Sequence, residues 1–314
     1  MRLPLNLKPS YRSTLDIAFP VDILESNNCF DEEIFCHFYW QLCSYGETQT
    51  VVFSHYNLMD NDWLFESVVL NPHSPEIMED IYQALLNGFY VFTLLDEFYI
   101  PCRSAFEQYH YMHGNLIFGF EKESRQLLAA AYDNHGKYTA TTFTEQEFLN
   151  GLSFKGNDSV YFSVVRAIKP RHETAFPKKI EIFRYYIAAY LYSFDGFINQ
   201  TNDYGIQSVN IMAEHLSMAP GTLVSLYSLM EHKKIMQRRL ALMYQYGYVS
   251  RDAVSEYQSV VDQAQTITML CLKYQIKKQD QLKQKIKKNI SDLALCEQKI
   301  LSMALCTNNI SYCW

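Results

Sequence analysis

The sequence lacks a run of roughly eighteen apolar residues, the length that a membrane-spanning helix needs, so we expect no such helix. Its first thirteen residues, MRLPLNLKPSYRS, also lack the apolar segment of a signal peptide, which predicts a cytoplasmic protein. None of the eight cysteines forms a CxxC pair. Without a secretion signal, these side chains are expected to be reduced thiols.

The chain also lacks an excess of positive charge. Its net charge of -7 argues against nucleic acid as the main partner. Hydrophobic residues make up 48% of the 314 positions, which is typical of a globular rather than a disordered protein. The length favours two domains.

Three of the cysteines, Cys29, Cys36 and Cys43, recur at intervals of seven residues. This spacing could align metal ligands on one helix, but zinc sites usually draw their ligands from loops and turns at shorter spacing. Buried cysteines on an amphipathic helix are the more common explanation. We therefore predict no metal site and no bound cofactor.

Short apolar segments separated by turn residues predict an antiparallel sheet between residues 88 and 134. Its strands are Phe89–Leu95, His113–Phe120 and Gln126–Ala131, and a further short strand is predicted at Leu15–Val21. Residues 1–170 are thus expected to form an α+β domain. After the basic, proline-containing linker Lys169–Lys179, long helical patterns predict a helical bundle domain over residues 171–314.

The first strong helical pattern is Glu32–Tyr45, which Asn28 or Asp31 can cap. Cys29 is then expected at or just before a helix N-terminus. Backbone amides and the helix dipole at that position favour a thiolate, and they can also stabilise an oxyanion.

An imidazole and a carboxylate are expected to lie side by side in the sheet. His113 begins one predicted strand and Asp133 follows the next, so in an antiparallel pair the two ends are neighbours. Asn134 and Asp96 are the alternatives to Asp133, and His110 competes with His113. The order cysteine, histidine, acid is the chain order of papain-like cysteine enzymes. The alternative to a catalytic role is that residues 133–136 form an ordinary turn.

Several segments resemble one known family. LLDEFYIP, YHYMHGNLIFGFE, AAAYDNHGKY and TEQEFL are similar to the N-terminal domain of butirosin biosynthesis protein H, over about residues 25 to 155. The helical second half, which contains YGIQSVNIMAEHL, is similar to the helical region of the same relatives. The resemblance implies a papain-like N-terminal domain and a role in making antibiotics or other nonribosomal peptides and polyketides.

The resemblance also implies residue roles. His113 matches the histidine of the family's strand motif, with Gly119 six residues later, and Cys29 is aligned with the nucleophile. Related peptidases place a glutamine a few residues before the cysteine. Residues 21–28 contain none, so Asn27 or Asn28 would supply the oxyanion donor.

Three functions follow from these observations. The first is an acyltransferase that moves an aminoacyl or peptidyl group from a carrier-protein thioester, through a cysteine thioester, to an amine or water. The second is a cysteine peptidase or amidase that trims a peptide product, and the third is a catalytically inactive binding or scaffold protein. The enzymatic hypotheses require Cys29 to face His113, and they fail if the two residues lie on opposite sides of the fold.

The expected partners are an acidic acyl or peptidyl carrier protein and a small amine acceptor. Two groups of basic residues could bind the carrier by charge, although an ordinary solvated helix face is the usual reason for such runs. The first group is Lys277, Lys278, Lys283, Lys285, Lys287 and Lys288, and the second is Lys233, Lys234, Arg238 and Arg239.

Overall fold

The computed structural model describes residues 1–45, 50–53, 58–135, 137–153, 164–172, 176–194, 203–216, 218 and 221–306. Its strands are β1 Leu42–Tyr45, β2 Thr50–Phe53, β3 Phe65–Leu70, β4 Tyr90–Asp96, β5 Met112–Glu121, β6 Gln126–Tyr132, β7 Tyr138–Thr144 and β8 Val165–Pro170.

The helices are α1 Leu15–Ser26, α2 Glu32–Cys36, α3 Ile77–Leu86, α4 Glu145–Ser153, α5 Ile182–Leu191, α6 Gly205–His215, α7 Gly221–Gln245, α8 Arg251–Lys277 and α9 Asp280–Cys306. The predicted combination of an antiparallel sheet with a strongly helical second half is confirmed.

The chain divides into two compact units. Unit 1 comprises residues 1–30 and 57–175, and unit 2 comprises residues 31–56 and 176–314. The sequence placed a single boundary near residue 170. In the structure, residues 31–56 group with the later helices, because β1 and β2 pair with each other and contact α6 and α7.

Unit 1 is built on a six-stranded antiparallel sheet with the order β3-β8-β4-β5-β6-β7. One face packs against α3 and α4 through Ile81, Phe148 and the strand residues Val91 and Ile117. The other face receives α1, whose Phe19 ring lies 6.1 Å from that of Phe92. Alternate residues of each strand therefore belong to different cores, as the pleat of a sheet requires.

Helix α1 occupies the segment where the sequence predicted a strand. Nearly every residue from Leu15 to Leu24 is buried, including Pro20. A segment that is apolar on all sides has no periodicity that separates a strand from a buried helix. The hydrophobic pattern therefore predicted burial correctly and the element type wrongly.

The predicted helix Glu32–Tyr45 is also shorter in the structure. Asp31 caps α2 by accepting hydrogen bonds from the amides of Glu33 and Ile34, but the helix ends at Cys36. The buried Arg239 guanidinium donates to the carbonyl oxygens of Cys36 (3.0 Å) and Phe38 (2.6 Å). Those oxygens would accept the next intrahelical bonds, so the long-range contact competes with continuation of the helix.

The helices of unit 2 enclose a fully buried polar cluster. Lys233 Nζ lies 2.7 Å from Glu297 Oε2, and both side chains have no exposed surface. Glu297 also accepts hydrogen bonds from the hydroxyl groups of Tyr190 (2.7 Å) and Tyr257. The charges of Lys233 and Glu297 are therefore paired and hydrogen-bonded, which is the condition under which buried charges are tolerated.

Candidate functional site

Cys29 follows the C-terminal end of α1 and lies two residues before Asp31, the cap of α2. It is therefore just before a helix N-terminus, as predicted, but that helix has only five residues. The Cys29 backbone amide donates to Leu24 O at 2.8 Å, and Asn28 adopts a left-handed conformation with φ of 56°. Both features belong to the termination of α1. The carbonyl end of a helix dipole disfavours a negative charge, so α1 does not activate the thiol.

The imidazole beside Cys29 belongs to His172. Cys29 Sγ lies 3.2 Å from His172 Nδ1, although 143 residues separate the two in sequence. His172 comes just after β8, and β8 pairs with the beginning of β4, where Ile168 is opposite Tyr90. The pair is thus held at one end of the sheet by α1 and β8. This sulfur-to-nitrogen contact is the kind that joins a nucleophile to its general base.

The thiol proton has two possible acceptors. Besides His172 Nδ1, the carbonyl oxygen of Asn27 lies 3.3 Å from Cys29 Sγ. His172 can accept the proton only as the tautomer that carries its own proton on Nε2. Burial raises the pKa of the Cys29 thiol, so the neutral thiol is the resting form.

Asn27 supports this end of α1 and does not offer a free oxyanion donor. Its side-chain amide donates to Ile23 O at 2.7 Å and to the Tyr90 hydroxyl at 2.8 Å. The Tyr90 hydroxyl in turn donates to Pro4 O, and burial raises its pKa to about 12. Asn28, the other predicted oxyanion donor, is exposed to solvent.

His113 lies on the other side of the sheet from Cys29. A Cβ built on the adjacent Gly114 would meet Phe19 at 3.3 Å and Leu15 at 3.7 Å, so Gly114 is the residue that faces α1. Successive strand residues point to opposite faces, and His113 therefore points away from α1. His113 also pairs with Leu95, five residues along β4 from Tyr90.

Five strand residues span about 16 Å. Cys29 and His113 thus occupy opposite faces and opposite ends of the sheet, and no hydrogen bond joins them in the described residues. The predicted pairing of these two residues is absent, because strand alternation turns His113 to the α3 and α4 side. The enzymatic hypotheses as stated required Cys29 to face His113, so in that form they fail, and an enzymatic function depends on a different partner for Cys29.

The partner of His113 is Glu97, which is not among the predicted site residues. His113 Nδ1 lies 2.9 Å from Glu97 Oε1, and Arg103 Nε lies 3.6 Å from the same oxygen. The Arg103 guanidinium is buried and also donates to Asn115 Oδ1 at 2.7 Å and to Tyr132 O at 3.0 Å. His113 is therefore oriented by a carboxylate, but no described thiol or hydroxyl lies within hydrogen-bonding distance of its ring.

Two of the three alternatives from the sequence, His110 and Asp96, form a second pair beside the first. His110 Nδ1 lies 2.6 Å from Asp96 Oδ2, and the His110 ring stacks on Phe98 at 4.5 Å. Asp96 also accepts hydrogen bonds from the amides of Phe98 and Tyr111. Both imidazoles are thus held by consecutive carboxylates at the end of β4.

Asp133 and Asn134 lie in a turn between β6 and β7. The Asp133 carboxylate accepts hydrogen bonds from the amides of His135 and Lys137, both at 2.9 Å. These bonds lower the pKa of Asp133, and the bond from the Lys137 amide has the largest effect. The end of β6 does lie beside the beginning of β5, but the carboxylate stabilises its own turn and does not orient His113.

His172 could not have been selected from the sequence. It lies in the segment assigned as a linker, and no motif or spacing connects it with Cys29. Glu97 carried a weak signal, since it follows directly after a buried strand in the segment that holds the other candidates. Its pairing with His113 depends on the register of β4 and β5, which the sequence does not encode locally.

The described residues contain no group of three or more His, Cys, Asp or Glu side chains that could hold a metal ion. Cys36 and Cys43, which share the seven-residue spacing with Cys29, are both buried. Among the helices described, none has the length and apolar character needed to cross a bilayer.

No protein-family model matches the chain, and no curated protein is significantly similar to it. The resemblance to the butirosin family stays a prediction from the sequence segments.

Proposed function

We propose that the protein is a cysteine-dependent acyltransferase in which Cys29 is the nucleophile and His172, in place of His113, is the general base. The observation that carries this proposal is the 3.2 Å distance between Cys29 Sγ and His172 Nδ1. A nucleophile within hydrogen-bonding distance of a base is the geometric requirement for attack by a thiol whose proton has not yet left.

The reaction has two balanced steps. In the first, Cys29 Sγ attacks the carbonyl carbon of an acyl thioester while its proton passes to His172 Nδ1. The bond between the carbonyl carbon and the departing sulfur breaks, and His172 returns the proton to that sulfur. In the second step an amine or water attacks the carbonyl carbon of the Cys29 thioester and passes a proton to His172. The bond between that carbon and Cys29 Sγ then breaks, and His172 returns the proton to the Cys29 sulfur. Exchange of one thioester for another is nearly isoenergetic, so the first step needs no external energy source.

The donor we propose is the phosphopantetheine thioester of an acyl or peptidyl carrier protein. The papain-like resemblance of residues 25 to 155 supports this choice, because it implies acyl transfer between a carrier and a small amine. The raised pKa of the Cys29 thiol agrees with a neutral nucleophile that loses its proton only during attack.

The decisive experiment measures acyl transfer from a loaded carrier protein to an amine by the wild type and three variants. Cys29→Ala is expected to abolish transfer, and His172→Ala to slow it by about 10²- to 10⁴-fold, the usual contribution of a general base. His113→Ala is the matched control and should retain activity. Unchanged turnover in Cys29→Ala, or a loss in His113→Ala equal to that in His172→Ala, would contradict the proposal.

A second candidate function is a catalytically inactive binding protein. Three features favour it: the Asn27 amide is already engaged, the helix dipole opposes a thiolate at Cys29, and no described acid orients His172. In that case the wild type and Cys29→Ala would show the same background rate, while both would still bind the carrier or its acyl group.

A further inference from the structure

A strongly basic segment forms the turn between α8 and α9 in unit 2. Residues 273–288 contain seven lysines and one aspartate, a net +6, in a chain whose net charge is -7. We refer to this segment as the basic tip. Helix α8 ends at Lys277, the next residue Lys278 has a left-handed backbone, and α9 begins at Asp280, so the two helices form a tight hairpin.

The lysines of the basic tip are available to a ligand. Five of them are exposed and two are partly exposed, and none forms an ion pair within the described part of the chain. Lys278 donates to Gln275 Oε1, and Lys287 donates to Glu214 O. Their charges are thus solvated rather than neutralised. The exposed members are Lys273, Lys277, Lys278, Lys285 and Lys288.

The second basic group in the sequence does not form a comparable surface. Lys233 and Arg239 are buried, with Lys233 paired to Glu297. Arg238 lies 3.1 Å from Glu32 Oε2. The two basic groups look alike in the sequence but differ in the structure. Of the two, the basic tip is the one whose charges are exposed and not paired with carboxylates.

An apolar side chain stands among these lysines. Ile276 is 84% exposed, the most exposed large hydrophobic residue in the described chain. It belongs to the last turn of α8, with Lys277 and Lys278 next to it. Exposing isoleucine to water is unfavourable, and a phosphate backbone or a carboxylate surface would offer it no apolar environment.

The positions of the lysines on α9 further limit the kinds of partner that the basic tip can bind. Lys283 and Lys287 lie on one side of the buried stripe of α9, formed by Ile286 and Ile290, and Lys285 and Lys288 lie on the other. A rigid acidic surface would contact only one of these sides. The basic tip also contains no arginine, the residue suited to bidentate recognition of particular phosphates or carboxylates.

We propose that the basic tip binds the surface of an anionic lipid bilayer, with Ile276 inserted between the headgroups. A fluid surface can place anionic headgroups around a convex hairpin end, and clusters of four to eight lysines on helices bind such membranes by charge. Apolar insertion beside the lysines adds to this attraction. The binding is peripheral and is independent of the acyl-transfer chemistry proposed above.

The test is co-sedimentation of the full chain with vesicles of phosphatidylcholine alone or with about one third phosphatidylglycerol. Binding is expected only to the anionic vesicles and should weaken as salt is raised. The tip variant K277Q/K278Q/K285Q/K288Q should bind at least about a hundredfold more weakly, since each lysine contributes roughly fivefold. Ile276→Ser keeps every charge and should weaken binding roughly tenfold.

A matched control removes the same number of charges elsewhere. K8Q/K122Q/K137Q/K179Q changes four exposed lysines outside the basic tip and should bind like the wild type. Equal binding to neutral vesicles, or an equal loss in the control, would overturn the proposal. So would tighter binding to a DNA duplex or an acidic protein than to anionic vesicles together with no effect of Ile276→Ser. If the tip variant fails to fold, Ile276→Ser and the salt dependence decide.

Discussion

Removal of Lys233 tests whether the buried ion pair of unit 2 is needed for stability. Lys233→Met replaces the ammonium with an apolar side chain of similar length and leaves the Glu297 carboxylate buried without its cation. Breaking a buried pair in this way costs about 3–5 kcal/mol, because one charge stays in a medium that solvates it poorly. Burial already lowers the pKa of Lys233 despite the neighbouring carboxylate.

The geometry places the expected loss at the lower end of that range. After the substitution, Glu297 still accepts hydrogen bonds from Tyr190 and Tyr257. Hydrogen bonds to a charged group contribute about 1.5–3 kcal/mol each, so the carboxylate is not left without partners. We therefore expect a loss of about 3 kcal/mol in the free energy of unfolding.

Urea unfolding measures this loss in the free energy of unfolding. Two further variants serve as a control and as a test of the cause. Lys178→Met removes a partly exposed cation near Asp31 and Glu33 and should change stability by less than about 1 kcal/mol. Combining Lys233→Met with Glu297→Gln removes the unpaired charge while keeping a hydrogen-bond acceptor, and should recover part of the loss. A loss for Lys233→Met no larger than that for Lys178→Met would refute the expected cost of the unpaired Glu297 charge. A double variant less stable than Lys233→Met would refute it as well.

Two other stability measurements follow from local geometry. Gly205→Ala should cost about 3–5 kcal/mol, because a Cβ would lie 2.2 Å from Tyr190 O at a left-handed position, and thermal unfolding checks this. Gly247→Ala, also left-handed but with open space around it, should cost only about 1–2 kcal/mol, and equal losses would contradict the comparison. For Glu145, the hydrogen bond from the exposed Arg125 holds the carboxyl pKa below its ordinary value. The resulting stabilisation is present above the unfolded-state pKa, about 4.3, and is lost as pH falls through the folded-state value. Because Arg125 is exposed to solvent, Glu145→Gln should lower the free energy of unfolding only slightly at pH 7 and not at all in strong acid, which urea unfolding at the two pH values measures.

The parts of the fold that the sequence predicted well are those set by local pattern. Strands β4, β5 and β6 begin and end within a residue or two of their predicted bounds, because alternating or short apolar runs lie between clear turn residues. Helix α3 is likewise set by local pattern, since an amphipathic segment follows Pro75 directly.

The parts that the sequence predicted poorly depend on distant contacts. Helix α2 ends early where Arg239, two hundred residues later, takes its carbonyl oxygens. The predicted contact between Cys29 and His113 was wrong for the same reason. Cys29 contacts His172 and His113 contacts Glu97, and both contacts follow from strand pairing. The residue types identified Cys29 and His113 as residues worth testing. They did not show that Cys29 contacts His172 or that His113 contacts Glu97.

The central claim is that Cys29 forms an acyl-enzyme with the help of His172. Its most direct test is mass spectrometry of the protein after mixing with an acyl-pantetheine thioester, followed by mapping of the acylated peptide. We expect the acyl group on Cys29, formed at least about a hundredfold more slowly in His172→Ala and at an unchanged rate in His113→Ala. An acyl group on a different cysteine, or acylation of Cys29 that is indifferent to His172, would contradict the account.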